Sequence, residues 1–286
     1  SSLRVIFGLA AALGWGLADF TGAVGGRLIN SLPTVAAAQA FSAVAMTVFM
    51  IAGGHDPGII APYAGFVVLN GLASGGAYLS HYRALQLGPV AVVSPIGATY
   101  AVVGVVLAVV LLGERPGLAA IAGGAVTVAG VMLTSTDLGR LRAGTHIRAP
   151  GLPWAIVSAM LFGIGGFLLG YFAQEVGWVP GLWASRCAQL AMFATLSIVR
   201  RREFDRFGWN AGLVWALASG AADLLGVVAY SIGASRGLVS IVLIASAVFP
   251  LIAVGLSIAF LHERPVANQY VGIAFVVTGL LVLGIG

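Results

Sequence analysis

Uncharged, predominantly apolar runs of helix length recur from one end of the chain to the other: Arg27 to Asp56, Arg83 to Glu114, Arg115 to Asp137, Arg148 to Glu175 and Arg236 to Glu263. The runs are continuous, without the alternation of a barrel strand, and only helices or closed barrels satisfy their backbone groups in hydrocarbon. The pattern predicts spans near 4–26, 33–53, 63–87, 89–112, 117–136, 151–173, 179–199, 209–234, 237–261 and 266–286. The two extended polar stretches are Asp137–Pro150, almost at the midpoint, and Arg200–Phe207. Trp15 and Asp19 interrupt the first apolar stretch and it has a counterpart mid-chain, so it reads as a retained span rather than a signal peptide. The missing initiator methionine is expected of a trimmed sequence.

Composition turns these runs into membrane spans. Of 286 residues, 60% are apolar and 8% charged, where a soluble domain carries about a quarter charged. So few charges would not cover a water-facing surface, but lipid solvates an apolar exterior. The net charge of +5 comes entirely from arginine, and the arginine clusters sit in short loops between spans, so nucleic acid is not an expected partner. Cys187 is alone, and neither a disulfide framework nor a metal or cofactor site is expected. The sequence has no H-E-x-x-H, no strand-to-helix G-x-G-x-x-G and no Walker lysine. The Leu-Ala-Ser-Gly segments at Ser74-Gly75 and Ser219-Gly220 are faintly like an intramembrane serine protease, but their duplication argues for packing. A channel would need a ring of like groups, and an ATP-driven pump a nucleotide motif. A secondary transporter is left, and an enzyme is not expected.

Gly-Glu-Arg-Pro (Gly113–Pro116) follows the fourth span and His-Glu-Arg-Pro (His262–Pro265) the ninth. The shift between them, 262 less 113 or 149 residues, also aligns Gly14 with Gly163, Gly16 with Gly165, Gly123 with Gly272 and Gly130 with Gly279. Each half then has five spans, and an odd number sends the second half into the membrane from the opposite side. The predicted fold is an all-α integral membrane protein of ten transmembrane helices, two inverted five-helix repeats around a central cavity. The first repeat is 1–136, a basic linker loop 137–150, and the second repeat 151–286. Glu114 and Glu263, just before Pro116 and Pro265, read as structural helix starts. Loops after the odd-numbered spans hold Arg27, Arg83, Arg140, Arg142, Arg148, Arg200, Arg201, Arg202, Arg206 and Arg264, against Arg4, Arg115, Arg186 and Arg236 on the other side. That bias places both termini outside the cytoplasm.

Polar groups inside spans are costly and face protein. Trp15, Asp19, Gly22 and Gly26 share one face of the first span; Gly71, Gly75, Tyr78 and Tyr82 share one face of the third, flanked by Ser74 and His81. Ser219, Asp223, Gly226 and Tyr230 repeat the spacing in the eighth. These stripes either line a cavity or form ordinary packing seams; on the cavity reading Trp15, Ser74, Tyr78, His81, Tyr82, Tyr100 and Tyr230 contact substrate. Asp223 lies near midplane, where an unpaired carboxylate holds its proton and suits coupling; the alternative is a structural pair with Arg186. Asp19, His81 and Arg83 form a candidate gate or relay, unless Arg83 snorkels to the interface. Pro95, Gly97 and Gly104 in the fourth span, with Pro250 and Gly255 in the ninth, mark either hinges or static kinks. Trp154, Trp178, Trp183 and Trp209 fall near span ends, as interface anchors do.

With its paired E-R-P corners and matched glycines, the chain resembles, over its whole length, the drug/metabolite transporter superfamily in its ten-span EamA branch, and within it the YddG-type amino-acid exporters. It departs from the simplest pattern in one place: Pro250 aligns with Ala101, six positions beyond Pro95. The resemblance implies export of aromatic and neutral amino acids across the bacterial inner membrane by alternating access. Substrate and the lipid bilayer are then the partners, without an obligate protein partner. The alternative is proton-coupled efflux of cationic or heterocyclic drugs, whose charge aromatic faces and an acid would hold.

Overall fold

A computed structural model of the chain describes residues 2–87, 96–134, 150–252, 256 and 267–285. Among these residues the secondary structure is helical, without strands. The helices are α1 (Ser2–Ile29), α2 (Ser31–Ala52), α3 (Ala64–Leu87), α4 (Tyr100–Leu111), α5 (Leu118–Thr134), α6 (Leu152–Glu175), α7 (Trp178–Val199), α8 (Ala211–Ser235), α9 (Val239–Ser246) and α10 (Ala267–Ile285). Short 3-10 helices at Pro57–Tyr63 and Arg201–Phe204 precede α3 and α8. Six helices are long and apolar enough to cross a membrane (α1, α2, α3, α6, α7 and α8), and the other four are shorter apolar helices. Their outer faces expose Ile51, Val110, Leu225 and Leu281 at 65–74%, which suits lipid rather than water.

The joins are tight because the backbone reverses within one or two residues. Asn30 alone separates α1 from α2 at φ 72°, and Gly177 precedes α7 at φ 87°. Glycine adopts that conformation freely, whereas Asn30 is strained in it. Its side-chain Nδ2 donates to the Glu203 carbonyl at 3.1 Å, which helps hold it there.

Packing is reciprocal between the first five helices and the last five. α1 packs on α8 as α3 packs on α6; α1 on α9 as α4 on α6; α2 on α8 as α3 on α7. The pairs α2·α7, α4·α9 and α5·α10 join helices of the same rank. Each of these three pairs runs antiparallel: Gln39 meets Arg186 while Thr47 meets Trp183, Tyr100 meets Ser246 while Gly104 meets Leu243, and Gly130 meets Gly272 while Gly279 meets Gly123. At the α5·α10 crossing, a Cβ on Gly130 would lie 2.8 Å from the Gly272 carbonyl, and one on Gly279 2.6 Å from that of Gly123. The backbones touch there, so a side chain at either glycine would force the helices apart.

Both short helices that follow α3 and α8 are interrupted. A turn at Thr99 separates Ile96–Ala98 from α4, and a turn at 247–249 separates α9 from the helical residues Pro250–Ile252. Under the 149-residue shift Thr99 falls on Val248, so the breaks are in register although the prolines are not. Pro250 has no N–H for the Ser246 carbonyl, and the chain tightens to i→i−3 bonds, Phe249 to Ser246 and Leu251 to Val248. Pro95 and Gly255 lie outside the described residues. Gly104 is a packing glycine, its missing Cβ filled by Leu243.

Glu114 does not cap the helix that follows it, contrary to expectation. Helix α5 begins at Leu118, and the buried Glu114 carboxylate reaches across to α9: Oε1 accepts from Val239 N–H at 2.7 Å and Oε2 from Ser240 N–H at 3.1 Å. The uncompensated N–H groups and positive dipole end of α9 bind the carboxylate better than the start of its own helix, where Arg115–Gly117 run non-helical. Glu263 and Pro265 lie outside the described residues. Glu114→Ala is expected to lose about 1–2 kcal/mol and to lower the melting midpoint in detergent more than Glu114→Gln, which keeps one acceptor. Equal midpoints for the wild type and both variants would show that the cap is not stabilising.

Candidate functional site

The seam between the halves is not filled. Helices α1, α2, α3, α6, α7 and α8, with Gly97, Tyr100 and Phe249 at the two breaks, enclose a cavity with about 90 Å³ open to the centres of water molecules. A single water needs roughly 10–15 Å³ on that measure, so the space holds several. Helices α5 and α10 pair outside this ring, and neither contributes to its wall among the described residues.

Trp15, Ser74, Tyr78, His81, Tyr82, Tyr100 and Tyr230 all line this one cavity, as do Asp19, Asp223 and Gly97. Arg83 does not; it is exposed on the far side of α3. The glycines of the same stripes serve packing instead. Gly14 and Gly226 bring α1 against α8 backbone to backbone, and Gly22 leaves room for the Tyr82 ring. The stripes are therefore part lining and part seam.

The aromatic hydroxyls are anchored. Ser219 Oγ donates to the Ala18 carbonyl at 2.9 Å, which leaves Tyr82 to donate its own proton to Ser219 at 3.0 Å. Ser246 Oγ likewise donates to Leu243, and Tyr100 donates to Ser246 at 2.6 Å, tying one broken helix to the other. Tyr230 donates to the Gly166 carbonyl at 2.7 Å. The rings face the cavity while their polar ends are held in the walls. Trp15 sits between Tyr100 and Tyr230, with ring centroids 6.2 and 5.8 Å away, and its indole Nε1 has no partner.

Asp223 is not the unpaired acid that suits proton coupling. Arg186, eight residues into α7, donates from Nη2 to Asp223 Oδ2 at 2.8 Å, and Tyr78 donates to Oδ1 at 2.5 Å. The other guanidinium arm bonds Gln39 at 2.5 Å and Gln189 at 3.0 Å. Gln189 donates to Ser185 at 2.9 Å, Ser185 donates to Asn70, and Asn70 donates to the Gly165 carbonyl at 2.9 Å. One continuous polar network thus ties α2, α3, α6, α7 and α8 together in the cavity wall, with Arg186 Nε left unpartnered among the described residues. Asp19 stands apart from it, with His81 Nε2 at 3.3 Å from its Oδ2.

Sequence reading missed Gln39, Asn70, Ser185 and Gln189, although each is a polar side chain inside an apolar span, the signal that singled out Asp223. It missed Phe162, Leu169 and Phe249 because apolar lining residues look like any other core residue.

A family model described as the EamA-like transporter family matches the chain twice, over residues 2–136 and 149–285. The chain belongs to the EamA-like transporter family. A curated relative, an uncharacterized transporter in the cobO 3′ region of Sinorhizobium sp., is 38% identical over 68 residues, 24% of this chain and 48% of the relative. The chain therefore spans about half the length of that relative. A crystal structure with a TM-score of 0.75 covers 99% of this chain and 97% of its own at 20% identity, a likeness of fold alone. The two matched segments divide at the polar midpoint stretch.

Removing one member of a buried ion pair strands the other without a counter-ion. Arg186→Met is expected to cost about 3–5 kcal/mol, and adding Asp223→Leu to restore most of it. Melting midpoints in detergent check this; equal loss in the single and double variants would mean that the pair is not what holds α7 to α8.

Proposed function

We propose that this protein is a secondary transporter that exports small metabolites, namely aromatic and neutral amino acids, across the bacterial inner membrane. Two inverted five-helix repeats present the cavity to the two sides in turn, with both termini extracytoplasmic. The architecture is supported by the double family match, the antiparallel crossing of same-rank helices and the breaks in register. Helices broken at the level of a binding site are how transporters of this kind expose backbone groups to substrate.

The observation that carries the substrate reading is the charge placed in one aromatic cavity. Arg186 lies in one wall with an unpartnered Nε–H, and Asp19 in another with its side chain 21% exposed. A zwitterion has a carboxylate for the first and an ammonium for the second. Trp15, Tyr78, Tyr82, Tyr100 and Phe162 offer ring faces to an apolar or aromatic side chain. Efflux of a lipophilic cation is the second reading, favoured by Asp19 standing among aromatic faces while Arg186 is matched by Asp223.

Counterflow in liposomes separates the two. Saturable exchange of labelled neutral amino acids, insensitive to lipophilic cations, is the expected outcome; competition by the cations favours the second reading. Tyr78→Ala is expected to raise the half-saturating concentration about tenfold, the worth of one aromatic contact, with uptake normalised to the amount of folded protein. Tyr78→Phe, which keeps the ring, should show less. Wild-type uptake by Tyr78→Ala rules the ring out as a contact.

A further inference from the structure

The turn between α7 and α8 lies outside the cavity wall, yet it concentrates charge. From Arg200 to Arg206 it sets four arginines against two acids, Glu203 and Asp205. Arg200 pairs with Glu203 at 3.6 Å. Arg201, Arg202 and Arg206 are exposed, and their guanidinium groups have no ion pair or hydrogen bond among the described residues. Exposed Arg27, in the last turn of α1, adds a fifth arginine at this end of the bundle.

Apolar side chains flank the charges on both sides. Ile198 and Val199, at the end of the spanning helix α7, are 78% and 74% exposed, and Trp209, just before α8, is 96% exposed. Residues at the end of a spanning helix meet the boundary between headgroups and acyl chains, where tryptophan is enriched. The backbone between these flanks is already fixed. Asn30 donates to the Glu203 carbonyl at 3.1 Å, and Asn210 to the Arg206 carbonyl at 3.0 Å. Phe204 packs on the cluster of Leu32, Val35, Tyr82 and Phe193. The arginines are thus presented from a held segment, which lowers the ordering cost of binding.

We propose that this turn binds an anionic phospholipid. Arg201, Arg202 and Arg206 hold the headgroup phosphate, and Trp209 sits at the level where headgroup meets chain. A guanidinium matches phosphate oxygens with paired N–H groups. A zwitterionic headgroup brings its own cation to the phosphate, so a net negative one is preferred. Ile198 and Val199 offer their surface to acyl chains, which selects a lipid over a free phosphate ester. A seated lipid also braces the strained Asn30 joint between α1 and α2, because Asn30 leans on the Glu203 carbonyl. The site stands apart from the cavity and from what the cavity carries.

The test titrates the full chain in detergent with phosphatidylglycerol and follows the melting midpoint. The midpoint is expected to rise with phosphatidylglycerol, but not with phosphatidylcholine or with glycerol 3-phosphate, which has the phosphate without chains. Raising salt from about 0.1 M to about 1 M should weaken the effect, since the screening length shrinks to about 3 Å. An arginine at an anionic membrane surface is worth about fivefold in binding, so R201Q/R202Q/R206Q should raise the half-effective lipid concentration about 100-fold. Trp209→Ala should raise it by less. An equal rise with phosphatidylcholine, no rise with phosphatidylglycerol, or a wild-type response from the triple variant overturns the site. A full response to glycerol 3-phosphate overturns the lipid and leaves a free phosphate ester as the ligand. Should the triple variant fail to fold, the three single variants, each expected to lose about fivefold, decide together with the salt dependence.

Discussion

A guanidinium and a carboxylate 2.8 Å apart and shielded from water set the terms for the rest of the structure. Taking either ion alone into this interior would be prohibitive, and even as a pair they need further hydrogen bonds to offset desolvation. Tyr78 supplies one to Asp223; Gln39 and Gln189 supply two to Arg186. Each of these side chains comes from a helix that must hold its position for the bond to survive. The network therefore fixes the relative placement of α2, α3, α7 and α8, and through Asn70 that of α6. A wall tied together by polar bonds does not collapse as an apolar core would, which is why a hollow lined by aromatic rings persists beside it.

A second set of ties crosses at the broken helices. Pro250 removes a backbone donor, and the turn before it frees the chain to bring Ser246 to Tyr100. One turn-bearing segment of each half is thus bonded to the other through the Tyr100 hydroxyl. Glu114 adds a further link of the same kind, a carboxylate from the first half closing the start of α9 in the second. Hydrogen bonds of this sort can be remade without unfolding a helix.

Much of the helical outline was legible. Helices α1, α2, α3, α6, α7 and α8 follow the expected spans closely, since an apolar run of spanning length acts locally, whereas the fourth and ninth expected spans are broken by turns at Thr99 and 247–249. The repeat was legible because Gly130 and Gly279 sit against the Gly272 and Gly123 carbonyls, and such sites admit little else. Polar residues in spans pointed to the cavity, but their number was underestimated: Gln39 and Asn70 carry no charge and were not singled out. The role of Glu114 was read from its own neighbours, when its partner lies 125 residues away.

Hydrophobic run length and the spacing of glycines follow from demands that act along the chain: bilayer thickness, backbone satisfaction and helix period. Those the amino-acid order determines unaided. Which carboxylate is matched and which is left open depends on distances between helices remote in sequence. Arg186 is 37 residues from Asp223 and 147 from Gln39. Coulombic and hydrogen-bond energies fall off over a few ångströms, so only the packed arrangement could decide that Asp223 is held and Asp19 faces the cavity with a histidine beside it.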